Sequence, residues 1–166
     1  SKKMNIILKN NNTLIFDEFQ FRCCVGKKGI TKKKIEGDKK TPKGIFSLGP
    51  IFYRSDRNKK PLSKIKLIDI KKNMGWCNDI KNSKYNKLIK IKENVKHERM
   101  HRKDKKYDFV LLIKYNFINP IKKKGSAIFI HCTKNFKGTL GCVALKKSDL
   151  LVLIKLINKN TKIEII

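Results

Sequence analysis

Alternation of hydrophobic and polar positions is clearest at the two ends of the chain. Met4 to Leu8, Thr13 to Phe16 and Phe19 to Val25 read as short strands, with Asn10-Asn11-Asn12 as the turn of an N-terminal hairpin. Gly44 to Leu48 reads as a fourth strand, reached through a basic, glycine-punctuated loop over 26–43. After Ile51-Phe52-Tyr53 the pattern becomes irregular as far as Lys106, a length of loop that in a small domain points to function. Strands return at Phe109 to Tyr115, Ala127 to His131 and Cys142 to Leu145. Ser148 is placed to cap a helix running to about Asn158, with Leu150, Leu151, Leu153, Ile154 and Ile157 on its apolar face. Thr161 to Ile166 makes a last strand. The pattern predicts one mostly β domain over 1–166 with minor α (α+β): two packed sheets and one main C-terminal helix.

Composition narrows what such a domain does. No run approaches the roughly 18 apolar residues of a membrane-spanning helix, and Leu150 to Ile157 is short and broken by Lys155. Ser1-Lys2-Lys3 does not read as a secretory signal, and without an initiator Met the route of export stays open. The net charge is +29, from 42 Lys+Arg against 13 Asp+Glu. Such a field favours polyanions. Yet only Arg22, Arg54, Arg57, Arg99 and Arg102 are arginine, and the bias to Lys, Ile and Asn is what an A/T-rich genome encodes. Much of the charge is therefore expected on solvated faces. A nucleic-acid module would interleave aromatic and basic residues on one sheet face. Phe19, Phe21 and Arg22 are the best local hint of that, and no specific nucleic acid is expected.

Five cysteines, Cys23, Cys24, Cys77, Cys132 and Cys142, leave at least one unpaired, consistent with a working thiol. Adjacent Cys23 and Cys24 point to opposite faces of a strand. His97 and His101, with Cys77, would make a zinc site only if the two histidines shared a helix face, and a fourth ligand is missing. No metal is expected.

The strongest chemical signal is Ile128-Phe129-Ile130-His131-Cys132-Thr133 followed by Thr139-Leu140-Gly141-Cys142. A histidine leaves the end of one apolar run and faces a cysteine set just after a glycine. An imidazole can ionise a neighbouring thiol, and the glycine lets backbone N–H groups approach a substrate carbonyl. Upstream, Glu36-Gly37-Asp38-Lys39-Lys40-Thr41-Pro42-Lys43-Gly44-Ile45-Phe46 forms a turn feeding a strand.

These segments resemble the L,D-transpeptidase catalytic domain, the YkuD-like family, with its Thr-Pro-x-Gly-x-Phe segment, its Ile-His-Gly-Thr-like strand end and its Ser/Thr-His-Gly-Cys signature. One branch of that family is also similar across the middle, at Trp76-Cys77-Asn78-Asp79, Tyr85-Asn86, and Glu98 through Arg102, Asp104, Tyr107 and Asp108, with Tyr115-Asn116 and Gly125-Ser126. The chain departs from the signature at Leu140, where histidine is common, and at Val143-Ala144-Leu145, where many members have Asn or Arg. The His131–Cys142 loop is shorter than usual, and His101 replaces an aromatic residue.

The resemblance implies a sandwich-like fold and a cysteine enzyme acting on peptidoglycan stem peptides, without cofactor. Cys142 would be the nucleophile and His131 its base, oriented by the Cys132 carbonyl or the Thr133 hydroxyl. Backbone N–H groups near Gly141 and Cys142 would form the oxyanion hole. Trp76, Asp79, Tyr85, Asn86, Glu98, Arg102, Asn116, Ser126 and Thr139 would contact substrate, with the Trp76–Tyr107 loop as wall or lid. If water replaces the acceptor amine, the same site is an L,D-carboxypeptidase. A monomer at the periplasm or cell envelope is expected.

Overall fold

The computed structural model describes residues 4–166; Ser1-Lys2-Lys3 lie outside the described residues. The N-terminal strands are β1 (Ile6–Lys9), β2 (Thr13–Phe16) and β3 (Phe19–Cys24). Asn10 and Asn11 both take positive φ (55° and 60°), a conformation asparagine tolerates, and so close the β1–β2 hairpin. Two short strands, β4 (Ile30–Thr31) and β5 (Thr41–Pro42), pair in parallel within the basic loop. The next strand is long: β6 runs Gly44–Tyr53, so Ile51-Phe52-Tyr53 continues it.

The middle is not irregular, as the hydrophobic pattern predicts, but carries β7 (Leu67–Asp69), β8 (Met74–Cys77), β9 (Leu88–Lys90) and β10 (His97–Arg99). Each is only three or four residues long, and partners far along the chain define it. Then come β11 (Phe109–Ile113), β12 (Phe129–Thr133), β13 (Val143–Lys146), α1 (Lys147–Leu156) and β14 (Lys162–Ile165). β12 starts two residues later than expected because Ala127 lies at φ 55°, outside strand geometry.

Two long-range pairings close the architecture. β6 pairs β14 along its first half and β11 along its second. β3 likewise pairs β2 through Arg22 and β13 through Cys23 and Cys24. Two facing sheets therefore share their corner strands, in the order β11-β12-β13-β3-β2-β1-β14-β6 with β6 returning to β11. Between them lies the main core, which includes Ile6, Leu14, Leu111, Ile130 and Val143. Helix α1 packs on β12 and β13 and adds Leu150, Leu153 and Ile154, all fully buried at i, i+3 and i+4.

A second layer decides where chemistry happens. The three-stranded sheet β10-β8-β9 covers the other face of β11 and β12. β11 is buried on both faces: Phe109, Leu111 and Ile113 enter the main core, and Val110 and Leu112 the second. That second core also holds Phe52, Trp76, Met100, Tyr107, Phe129 and Cys142.

The helix start corrects the expected cap. Lys146 occupies the N-cap position with no side-chain capping bond, and Ser148 lies inside the helix. Asp149 in the first turn and Lys155 in the last complement the helix dipole instead. Ser148→Ala should therefore change stability by less than ~0.5 kcal/mol, against the ~1 kcal/mol of a true cap. Leu153→Ala should cost about 2–5 kcal/mol. Urea unfolding of both variants checks the pair; a loss near 1 kcal/mol for Ser148→Ala would restore the cap.

Candidate active site

The period of two in β12 sets the site. Ile130 and Cys132 turn into the main core, so Phe129 and His131 face the second. β13 runs parallel to β12, with Ile130 opposite Val143 and His131 opposite Ala144. Cys142, just before β13, therefore comes level with Phe129, on the face that His131 shares. Phe129 N–H donates to Cys142 Sγ at 3.4 Å, and the thiol donates to Ala127 O at 3.1 Å. His131 makes no hydrogen bond to the thiol. Its Nδ1 lies 2.9 Å from Cys132 O. A carbonyl only accepts, so Nδ1 carries the proton and Nε2 keeps the lone pair. Thr133, the alternative partner, instead accepts Phe136 N–H at 3.1 Å.

Both groups are held neutral. Burial pushes the Cys142 thiol up to about 12, reinforced by the Glu98 carboxylate. Burial pulls His131 down to about 4. The other thiols are also buried and free: Cys132 faces the main core and is pushed up to about 11, and Cys23 to about 12.

The residue before the nucleophile candidate is fixed by an unexpected partner. Gly141 lies at φ 145°, and a Cβ there would stand 3.0 Å from Lys40 O. Its carbonyl accepts from Thr41 Oγ1 at 2.7 Å, and Thr41 Oγ1 in turn accepts Gly26 N–H at 2.9 Å. The Gly141 N–H is used by Thr139 Oγ1 at 3.0 Å, whose hydroxyl donates to Cys142 O at 2.6 Å. In a trans peptide N–H and C=O point in opposite directions. With Gly141 O turned to Thr41, the Cys142 N–H points away from it and has no partner among the described residues. Of the two N–H groups that sequence reasoning offers, only this one is free.

Tyr107, Trp76 and Phe129 share the second core with Cys142. The Tyr107 ring lies 5.4 Å from the His131 ring and 5.8 Å from Phe129, edge-on to the latter. Its hydroxyl donates to Glu98, whose pKa burial raises. Arg102 sits 5.1 Å from the centre of the same ring and pairs with Asp104 at 2.6 Å. Trp76 is 1% exposed, edge-on to Phe129 at 5.1 Å, with its N–H on Asn86 Oδ1 at 2.8 Å.

Several expected substrate contacts sit behind the thiol. Asn86 Oδ1 also accepts Ala127 N–H at 2.9 Å, and its Nδ2 donates to Asn116 O and Tyr115 O. Asn116 Nδ2 donates to Gly125 O at 2.9 Å. Tyr85 and Ser126 hydroxyls both donate to Glu36 Oε1 at 2.6 Å, and Gly125 N–H reaches Tyr85 Oη. Together these hold the 125–127 segment, whose last carbonyl receives the thiol proton. Asp79, accepting Lys81 and Lys96 N–H, lines with Glu36 a cleft of about 500 Å³. Arg102 lines a second cleft of about 450 Å³. Neither is lined by Cys142 or His131. Glu36 and Thr41 are the residues sequence reasoning missed; both stand in the Glu36–Phe46 segment, read there as a turn.

The zinc geometry does not form. His97 lies in a strand, opposite Cys77, while His101 follows the strand and approaches Asp56 at 3.8 Å. No group of three candidate ligands exists among the described residues.

The profile of the L,D-transpeptidase catalytic domain, YkuD, matches residues 1–165. The chain belongs to this family. No curated protein matches the sequence. Among solved structures, Bd1075 of Bdellovibrio bacteriovorus is similar at 17% identity, with a TM-score of 0.51 over 99% of this chain and 48% of that one. The helical cell shape determining protein Pgp2 of Campylobacter jejuni, as its K307A mutant, is similar at 17% identity and a TM-score of 0.52, over 99% of this chain and 47% of that one. The present chain thus spans about half the length of these relatives, and at such identity the likeness concerns the fold.

The buried neutral imidazole has a pH signature. Unfolded His131 takes up a proton near its ordinary pKa of 6.5, whereas the folded residue resists until about 4. Its contribution to stability is present above pH 6.5 and is lost as pH falls toward 4. In denaturant titrations, His131→Gln should lose less stability than the parent over that window. Identical slopes would contradict a neutral, buried His131.

Proposed function

We propose that this chain is a peptidoglycan L,D-transpeptidase with Cys142 as nucleophile and His131 as general base. The observation that carries the reading is the locked Gly141–Cys142 peptide, which places a free N–H beside a thiol on the face His131 shares. Family membership and the fold shared with a cell-shape protein support peptidoglycan as the material acted on. They equally support the cell envelope as the place of action. No helix of the described residues is long and apolar enough to cross a membrane.

With Nδ1 on the Cys132 carbonyl, His131 Nε2 keeps a lone pair that can accept a proton. Cys142 Sγ attacks the carbonyl carbon of an L,D peptide bond while its proton passes to His131 Nε2. The Cys142 N–H receives the developing oxyanion. As the C–N bond breaks, the imidazolium returns the proton to the departing amine, leaving a thioester on Sγ. An acceptor amine then attacks the thioester, loses a proton to Nε2 and forms the crosslink. The thiolate leaves and recovers that proton. Cys132 supplies its carbonyl, which orients the imidazole and stabilises the imidazolium during transfer. Tyr107, Trp76 and Phe129 share the second core with Cys142, a residue only 9% exposed. A dry thioester favours an amine bound in place over water, hence transfer over L,D-carboxypeptidase activity.

Turnover of a synthetic stem peptide tests the assignment. Cys142→Ala should abolish it, and His131→Gln should reduce it by about 10²–10⁴-fold. Cys132→Ala should retain substantial activity, because only its backbone takes part. Normal turnover by Cys142→Ala would reject the mechanism, and release of the terminal residue without a crosslinked product would reassign the enzyme as a carboxypeptidase.

A further inference from the structure

Arginine is concentrated at one place in this chain. Only five of the 42 basic residues are arginine, and four of those, Arg54, Arg57, Arg99 and Arg102, line the cleft of about 450 Å³. Its remaining lining residues, Lys72, His101 and Lys103, are basic as well. Where lysine is the default cation, clustered arginine marks a place that uses a planar, two-pronged donor.

Three of these arginines are already paired with carboxylates and form the walls, although Arg57 shares Asp108 with Lys147. Arg54 holds Asp56 with two bonds of 2.8 Å. Arg57 holds the buried Asp108 at 2.5 Å, and Arg102 holds Asp104 at 2.6 Å. Lys72, Arg99 and Lys103 are exposed and have no carboxylate partner among the described residues; Arg99 reaches only Lys72 O, at 3.4 Å. His101 lies half-buried beside them. Burial, then the charges of Arg54 and Lys72, hold it below its ordinary pKa of 6.5, with Asp56 opposing them.

We propose that this cleft binds carboxylates of the stem peptide on one side of the bond attacked by Cys142, engaging at least two of them at once. The proposal rests on the transpeptidase reading above. Three uncompensated cations that repel one another are relieved by a ligand carrying several negative charges. The cleft is also next to the chemistry. Arg102 stands 5.1 Å from the Tyr107 ring centre, and that ring stands 5.4 Å from His131. The order of 10 Å involved is spanned by about three extended residues. A short peptide with carboxylates spaced along it fits a cleft of this size.

The three histidines of the chain are natural reporters, with His101 in the cleft and His131 at the thiol. In the non-reacting Cys142→Ala protein, a synthetic stem tetrapeptide should shift the imidazole NMR signals of both. Arg99→Gln combined with Lys72→Gln should remove the His101 shift and weaken peptide binding about tenfold or more in calorimetry, while saturating peptide still moves His131. The control double variant Lys159→Gln with Lys162→Gln removes the same charge elsewhere and should bind as the parent does. A peptide with its carboxylates amidated should bind about tenfold more weakly to the parent and leave His101 unmoved. A shift of His131 without His101 would overturn the cleft assignment and leave the transpeptidase reading standing. So would equal binding by the two double variants, or tighter binding of tripolyphosphate than of peptide at His101. Silence at both histidines, with no turnover by the parent protein, would overturn the underlying reading as well.

Discussion

One hydrogen bond joins the two parts of the chain on which the site depends: Thr41 Oγ1 to Gly141 O, at 2.7 Å and across 100 positions of sequence. Thr41 is fully buried, and its hydroxyl both donates and accepts, which fixes its rotation. That bond sets the plane of the peptide before Cys142. The plane sets the direction of the Cys142 N–H. A buried hydrogen bond of this kind contributes about 1 kcal/mol to stability, but its larger effect is orientation. An oxyanion hole works only if its donor already points where charge develops.

The same economy governs the rest of the site. β11 and β12 are buried on both faces, one face packing the domain and the other enclosing the thiol. Asn86, Tyr85 and Glu36 hold the 125–127 segment from behind, and its Ala127 carbonyl receives the thiol proton. Because the enclosure is apolar, both the thiol and the imidazole rest uncharged. The overall charge of +29 therefore lies around this centre rather than in it, and part of it, beside Arg102, lines a cleft of its own.

Much of this was legible in the residues. Strands with sustained alternation, such as β1 to β3, and the apolar run of β12 followed their patterns, because local side-chain periodicity was enough to define them. The placement of His131 near Gly141-Cys142 was expected from residue type, and the parallel pairing of β12 and β13 brings them to one face. What escaped notice is what depends on distant partners. β9 and β10 carry a lysine, a histidine, a glutamate and an arginine, and with β8 exist as strands because they pair with each other over the second core. Ser148 matched a cap by type, but β13 runs directly into the helix and leaves the cap position to Lys146. Glu36 and Thr41 stood in a segment whose glycines and proline explained it fully as a turn. Their bonds to Ser126 and Gly141 span 90 and 100 positions, and no local pattern encodes them.

The central claim is that Cys142 carries the acyl group between donor and acceptor, and the direct measurement is trapping that intermediate. Parent protein mixed with donor stem peptide alone, quenched in acid and analysed by mass spectrometry with peptide mapping, should show the donor acyl mass on the fragment containing Cys142. The adduct should be labile to hydroxylamine, as a thioester is. Turnover proceeding with no adduct on Cys142, or with the adduct on another residue, would contradict the account.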